Sequence, residues 1–132
     1  MVKSNPMTTP CYCGSNVSFD LCCKLYISGQ AVAPTAEKLM RSRYSAYATH
    51  QADYLVATTL KAARTRSLKQ NTLQWAIANQ WQKLEILTAT ATVVEFKAYY
   101  FDAYKNQQIH HERSTFVQED GLWFYVDGTF YN

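Results

Sequence analysis

No stretch of this sequence holds the eighteen or so consecutive apolar residues that a membrane-spanning helix requires, and Met1 to Pro10 is polar, without the apolar centre of a secretory leader. Both absences predict a cytoplasmic protein with no membrane span. Glycine is scarce, at four in 132 residues, and no glycine-rich loop is present to cradle nucleotide phosphates. Internal repeats and low-complexity segments are missing too, which argues against solenoids and disordered tails. Cysteine is absent after Cys23, so no disulfide framework can run through a core. Acidic residues are few where basic ones are many: residues 1 to 83 carry ten Lys and Arg against three acids, and residues 84 to 132 carry three against seven. That asymmetry can steer a partner, but it falls short of the clustering and pI of a dedicated nucleic-acid binder. What remains suffices for one globular domain, since 48% of residues are hydrophobic and ten Tyr and three Trp supply large amphipathic rings.

All four cysteines fall between positions 11 and 23, spaced C-x-C-x8-C-C. Bridges from Cys11 to Cys13 and from Cys22 to Cys23 would be short and strained, and a reducing compartment would not keep them. Four thiolates on a local clip suit a tetrahedral zinc, with an iron–sulfur centre as the competing use. A turn at Gly14 lets Cys11 and Cys13 point at one ion. Cys22 and Cys23 are expected on a short helical turn that Ser18 caps, with Leu21 and Leu25 on its buried side and the helix N-terminus favouring thiolate. With every position filled by sulfur the site is closed, which is the mark of structural zinc, and loading it brings the formal charge of +3 nearer +1.

Cys11-Tyr12-Cys13-Gly14-Ser15 together with Cys22-Cys23 resembles the SEC-C motif, the zinc-binding module first associated with the C-terminal tail of the Sec translocase motor. There the motif docks protein partners, so the resemblance implies a docking role. Tyr12 stands where that motif usually has proline, a change that leaves the ligands untouched.

Ala31 to Pro34 reads as a connector. Thr35 caps a predicted helix to about Thr49, with Met40, Tyr44, Tyr47 and Ala48 on one face and Arg41 and Arg43 flanking it. A second helix is expected near Asp53, burying Ala52, Leu55, Val56, Thr59 and Leu60. A third is expected where Leu73, Ile77 and Trp81 recur every four residues; Arg64 and Arg66 before it read as a solvated loop. From Lys83 the period becomes two. Strands are predicted at Lys83 to Thr88, Thr92 to Tyr104, Ile109 to Gln118 and Leu122 to Asp127, the last two joined by the turn Glu119-Asp120-Gly121. Three helices ahead of four strands indicate an α+β fold, a curved antiparallel sheet wrapping the helices, preceded by the small zinc knuckle.

Met40-Arg41-Ser42-Arg43-Tyr44, Ala46-Tyr47 and Asp53-Tyr54-Leu55, with Glu112-Arg113-Ser114, Phe116, Glu119-Asp120-Gly121, Trp123, Tyr125 and Asp127-Gly128, resemble the small bacterial YchJ-like proteins. The resemblance implies a SEC-C clip over residues 1–28 and a nuclear-transport-factor-two-like, or cystatin-like, domain over residues 29–132. It implies a cone enclosing a cavity, a form shared by isomerases, dehydratases and plain binders, so fold alone does not choose. Tyr44, Tyr47, Tyr99, Tyr100, Trp123 and Tyr125 are expected to line that cavity, beside Arg43. On the third strand His110, Glu112 and Ser114 share one face and His111 and Arg113 the other, with apolar neighbours on both. Glu112 and His110, with Asp127 as a second acid, are candidate acid/base groups; cross-strand pairing and a simple turn are the competing uses. The reading is a zinc-binding adaptor or binding module for a protein or small-molecule partner. The alternatives are an acid/base enzyme of the cone fold and a weak nucleic-acid binder.

Overall fold

The computed structural model describes residues 9–131. Its elements run, after a 3-10 turn at Phe19–Leu21, as α1 (Cys23–Ile27), α2 (Ala36–Ala48), α3 (Ala52–Ala57), a 3-10 turn at Lys61–Ala63, α4 (Leu68–Ala78), β1 (Gln80–Ala89), β2 (Val93–Phe101), β3 (Gln107–Glu119) and β4 (Leu122–Tyr131). The four strands form one antiparallel meander in the order β1-β2-β3-β4. The α+β architecture is the one expected, with α2, α3 and α4 ahead of four strands and a cysteine knuckle that includes α1 before them.

α2 begins where Thr35 Oγ1 accepts the Lys38 N–H at 3.0 Å, satisfying one of the orphan donors of the first turn. It ends in a Schellman motif: His50 enters the left-handed region at φ 62°, and Gln51 N–H reaches back to Ala46 O at 2.7 Å. The sheet closes between β3 and β4 through Asp120 and Gly121, whose φ angles of 53° and 82° make the two-residue turn that matches strand twist. Register shifts between Trp81 and Lys83, between Ile86 and Thr88, and between Thr115 and Phe116 mark bulges, which bend a sheet.

α2 lies between the cysteine knuckle and the inner face of the sheet. This explains why its buried residues include Ser42, Arg43 and Ser45 as well as Leu39, Met40 and Tyr44. One apolar cluster joins Cys11, Cys13 and Cys23 through Leu39 and Met40 to Leu84, Val94, Phe96, Ala98 and Phe116. Phe96 and Phe116, each 4% exposed, contribute roughly 1.5–3 kcal/mol apiece by burial.

Three local expectations are corrected. Ser18 makes no side-chain cap bond, and Leu21 is 70% exposed, because the chain from Phe19 turns as a 3-10 helix and breaks at Cys22. The α4 face is not Leu73, Ile77 and Trp81. Ile77 is exposed, Trp81 already belongs to β1, and the helix buries Thr72 and Ala76 instead, since the chain leaves α4 after Ala78.

Candidate functional site

Two features concentrate chemistry. In the first, Pro10 and Ser18 form an antiparallel bridge, and within it Cys11 N–H bonds Val17 O at 2.7 Å and Gly14 N–H bonds Cys11 O at 3.2 Å. Gly14 sits at φ 85°, a conformation glycine takes freely. Neighbouring side chains on a regular helix diverge by about 100°. Cys22, at φ −125° and ψ −111°, interrupts the helix between Phe19–Leu21 and α1, so it and Cys23 can converge. All four Sγ atoms lie within 4.8 Å of one another, and none of the four is in a disulfide.

A tetrahedral site with Zn–S arms of about 2.3 Å has edges of about 3.8 Å. Cys13 Sγ and Cys22 Sγ stand 3.8 Å apart, so four sulfurs close together can hold a metal. Polar groups brace the cluster: Ser15 Oγ is 3.2 Å from Cys22 Sγ, Ser45 Oγ is 3.5 Å from Cys11 Sγ, and Arg41 donates to Cys13 O at 2.9 Å while paired with Glu37. Hydrogen bonds from Cys13 and Cys23 hold the Cys11 thiol below its ordinary range. Bonding to Cys11 and Cys13, then burial, pushes Cys23 up; burial does the same to Cys22. Cys22 and Cys23 stand at the N-terminus of α1, which is five residues long.

The second feature is a cavity of about 370 Å³ between the helices and the inner face of the sheet. Arg43, Tyr44, Tyr47, His110, Glu112 and Tyr125 are brought together on its walls. Glu112, 6% exposed, accepts from His110 Nε2 on Oε1 and from Ser114 Oγ and Tyr125 Oη on Oε2, each at 2.7 Å. Burial alone would raise its pKa, but those three donors and the nearby imidazole outweigh it and hold the carboxyl below its ordinary value. Burial first, then the Glu112 charge, pushes Tyr125 up, so its phenol stays a donor. Tyr125 is positioned by backbone bonds from its N–H to Thr58 O and to its carbonyl from Leu60 N–H, both 2.8 Å.

Arg43 Nη1 donates to Leu55 O at 2.9 Å, to Thr58 Oγ1 at 2.7 Å and to Thr59 Oγ1 at 3.4 Å, and its guanidinium lies 4.6 Å from the Tyr125 ring centre. The third-strand face left open by the sequence resolves: Glu112, Ser114 and Phe116 are buried, while His111 and Arg113 meet Glu95 across strands on the other face. Ser114 sits behind Glu112 and does not reach the cavity. Tyr99, whose hydroxyl donates to Glu85 at 2.7 Å, and Tyr100, which packs on Trp75 and Trp81, do not line the cavity; Trp123 lies apart too, donating to Pro34 O at 3.3 Å beside a smaller recess of about 140 Å³. Asp127 is exposed, bonded to Thr115 Oγ1, and does not line the cavity.

Lining residues that the sequence reading passed over include Leu68, Thr72 and Trp75 of α4 and Phe130 of β4. Leu68, Thr72 and Trp75 stand at i, i+4 and i+7, a helical face that competes with the Leu73 series and could have been weighed against it. Trp75, Trp81 and Tyr47 form a packed trio with ring centres 4.9–5.6 Å apart, Trp75 edge-on to both other rings.

Residues 35–128 match the family described as YchJ, middle NTF2-like domain. A UPF0225 protein of Vibrio vulnificus is 42% identical over 130 residues, spanning 94% of this chain and 77% of its own. Another, from Geobacter sulfurreducens, is 39% identical over 129 residues, spanning 92% and 81%. Among solved structures, a SEC-C motif containing protein from Rhodopseudomonas palustris superposes with a TM-score of 0.82 at 32% identity, covering 94% of this chain and all of that one. A sec-c motif containing protein from Psychrobacter arcticus gives 0.75 at 30% identity, covering 96% and 84%.

Proposed function

The chain belongs to the UPF0225 family of YchJ-like proteins, and from that premise we propose that it is a cytoplasmic binding module in which a structural zinc clip braces a ligand pocket. Cys11, Cys13, Cys22 and Cys23 are the ligands of the zinc. Residues 1–28 form the clip, which also serves as a docking knob for a protein partner, and residues 29–132 form the pocket-bearing domain. The supporting observation is the cavity itself: about 370 Å³ falls within the range of small-molecule sites, roughly 300–1,000 Å³. Its walls are mainly aromatic and aliphatic, with a few polar groups converging on them.

The test is elemental analysis of protein purified without added metal, combined with a native mass spectrum. One zinc per chain, with a copurifying small molecule released on denaturation, is the expected result. Iron accompanied by visible absorbance would overturn the structural-zinc assignment.

A second reading, acid/base catalysis, draws on the 2.7 Å bond between His110 and Glu112. Every oxygen of Glu112 is already taken by a donor, so proton transfer would fall to His110 Nδ1. A bound ligand recovered chemically unchanged after long incubation counts for the binder and against the enzyme.

A further inference from the structure

Resting on the ligand-pocket reading, a more specific inference concerns what the cavity accepts. Arg43 is 6% exposed, yet its three protein hydrogen bonds all leave from Nη1 and all end on neutral oxygens. Among the described residues no carboxylate stands within ion-pair distance of it. Among the described residues Nε and Nη2 have no hydrogen-bond partner, and no fully buried side-chain nitrogen or oxygen lacks one. Those two nitrogens therefore meet open space, and the open space beside Arg43 is the cavity it lines. The same holds for the hydroxyl of Tyr47, one helical turn on from Arg43 along α2. It has no partner among the described residues and is held as a neutral phenol by burial.

A buried cation without a counter-ion is costly, and a fork of two free guanidinium N–H edges matches a carboxylate better than any neutral group. Glu112 does not fill this role. Its oxygens are occupied by His110, Ser114 and Tyr125, so a ligand meets the far sides of those donors and not a bare anion. Beside the Arg43–Tyr47 corner stand Trp75 and Trp81, whose ring centres are 5.5 and 5.6 Å from that of Tyr47. Such a wall favours a flat ring.

We propose that the cavity binds a small aromatic carboxylic acid, its carboxylate on Arg43 and Tyr47 and its ring against Trp75 and Trp81. A neutral amide of the same shape forfeits the charge-assisted pair, and an ammonium places a cation beside Arg43.

The experiment uses the full chain and three matched probes, phenylacetate, phenylacetamide and phenethylamine, followed by calorimetry and by quenching of tryptophan fluorescence. Phenylacetate is expected to bind at least about tenfold more tightly than either other probe. Tyr47→Phe should weaken phenylacetate by about threefold or more while leaving phenylacetamide unchanged. Arg43→Lys retains the charge but loses the fork, and should narrow the preference. If phenylacetamide or phenethylamine binds as tightly as phenylacetate, the anion assignment is overturned while the ligand pocket stands. Binding of none of the three overturns the pocket reading as well. A carboxylate preference that survives both variants removes the carboxylate from the Arg43–Tyr47 corner.

Discussion

At the scale of single residues, Glu112 and Gly128 are one structural unit. A Cβ built on Gly128 would lie 2.0 Å from Glu112 Oε2 and 2.7–2.8 Å from Cδ and Cγ, so glycine is needed there for space and not for backbone freedom. The carboxylate cannot swing aside without leaving Ser114 and Tyr125. Gly128→Ala should therefore destabilise the fold by about 1–3 kcal/mol, read from the urea midpoint; a change within about 0.5 kcal/mol would show that Glu112 has somewhere else to go. Glu112 also sets an acid limb. Its folded pKa lies below the unfolded value of about 4.3, so its contribution is complete above that pH and is lost as the pH falls through the depressed folded value. Glu112→Gln should accordingly lower stability at neutral pH and flatten the decline below about pH 4.3. Parallel pH curves for variant and parent would place the acid sensitivity elsewhere.

Among the elements, α2 carries most of the organisation. It presents Ser45 and Arg41 to the knuckle, Arg43 and Tyr47 to the cavity, and Met40 and Tyr44 to the core. Its start depends on one side chain, since Thr35 Oγ1 accepts the Lys38 N–H. Thr35→Ala should cost about 1 kcal/mol, whereas Ser18→Ala, at a turn without a cap bond, should cost almost nothing. Equal losses in thermal melts of the two variants would contradict the assignment of the caps. α4 behaves differently. Its aromatic Trp75 packs on Tyr47, Trp81, Tyr100 and His110, so its position is set by rings from four elements and less by its own apolar stripe.

For the whole molecule, the knuckle and the sheet share one apolar cluster with Cys11, Cys13 and Cys23 inside it. Metal loss is then felt beyond the clip. Cys22→Ser leaves three sulfurs, and the variant should purify without stoichiometric metal and exchange amide hydrogens faster over residues 9–28. The remaining domain should stay folded but melt lower by roughly 4–8 °C, for about 1–2 kcal/mol of lost bracing at α2. Unchanged metal content would remove Cys22 from the ligand set. An unchanged melting point alongside lost metal would show instead that the clip is energetically separate from the domain.

What is local was legible from the residues alone. Four clustered thiols predict the knuckle, Thr35 marks the start of α2, Asp120-Gly121 marks the last hairpin, and the switch from helical to period-two patterning at Lys83 predicts the α+β order. Each depends on residues a few positions apart, where spacing translates directly into geometry. Which face of β3 turns inward was not legible there, since both faces carry polar and apolar residues and the choice is made by register with β2 and β4. Tertiary packing likewise put Asp127 on the surface and Trp123 beside Pro34, set Trp75 on the cavity wall, and buried the Arg43 guanidinium with two nitrogens lacking a partner among the described residues. These are relations between distant segments, fixed by the packing of α2 and α4 onto a bent sheet, and no periodicity within one element encodes them.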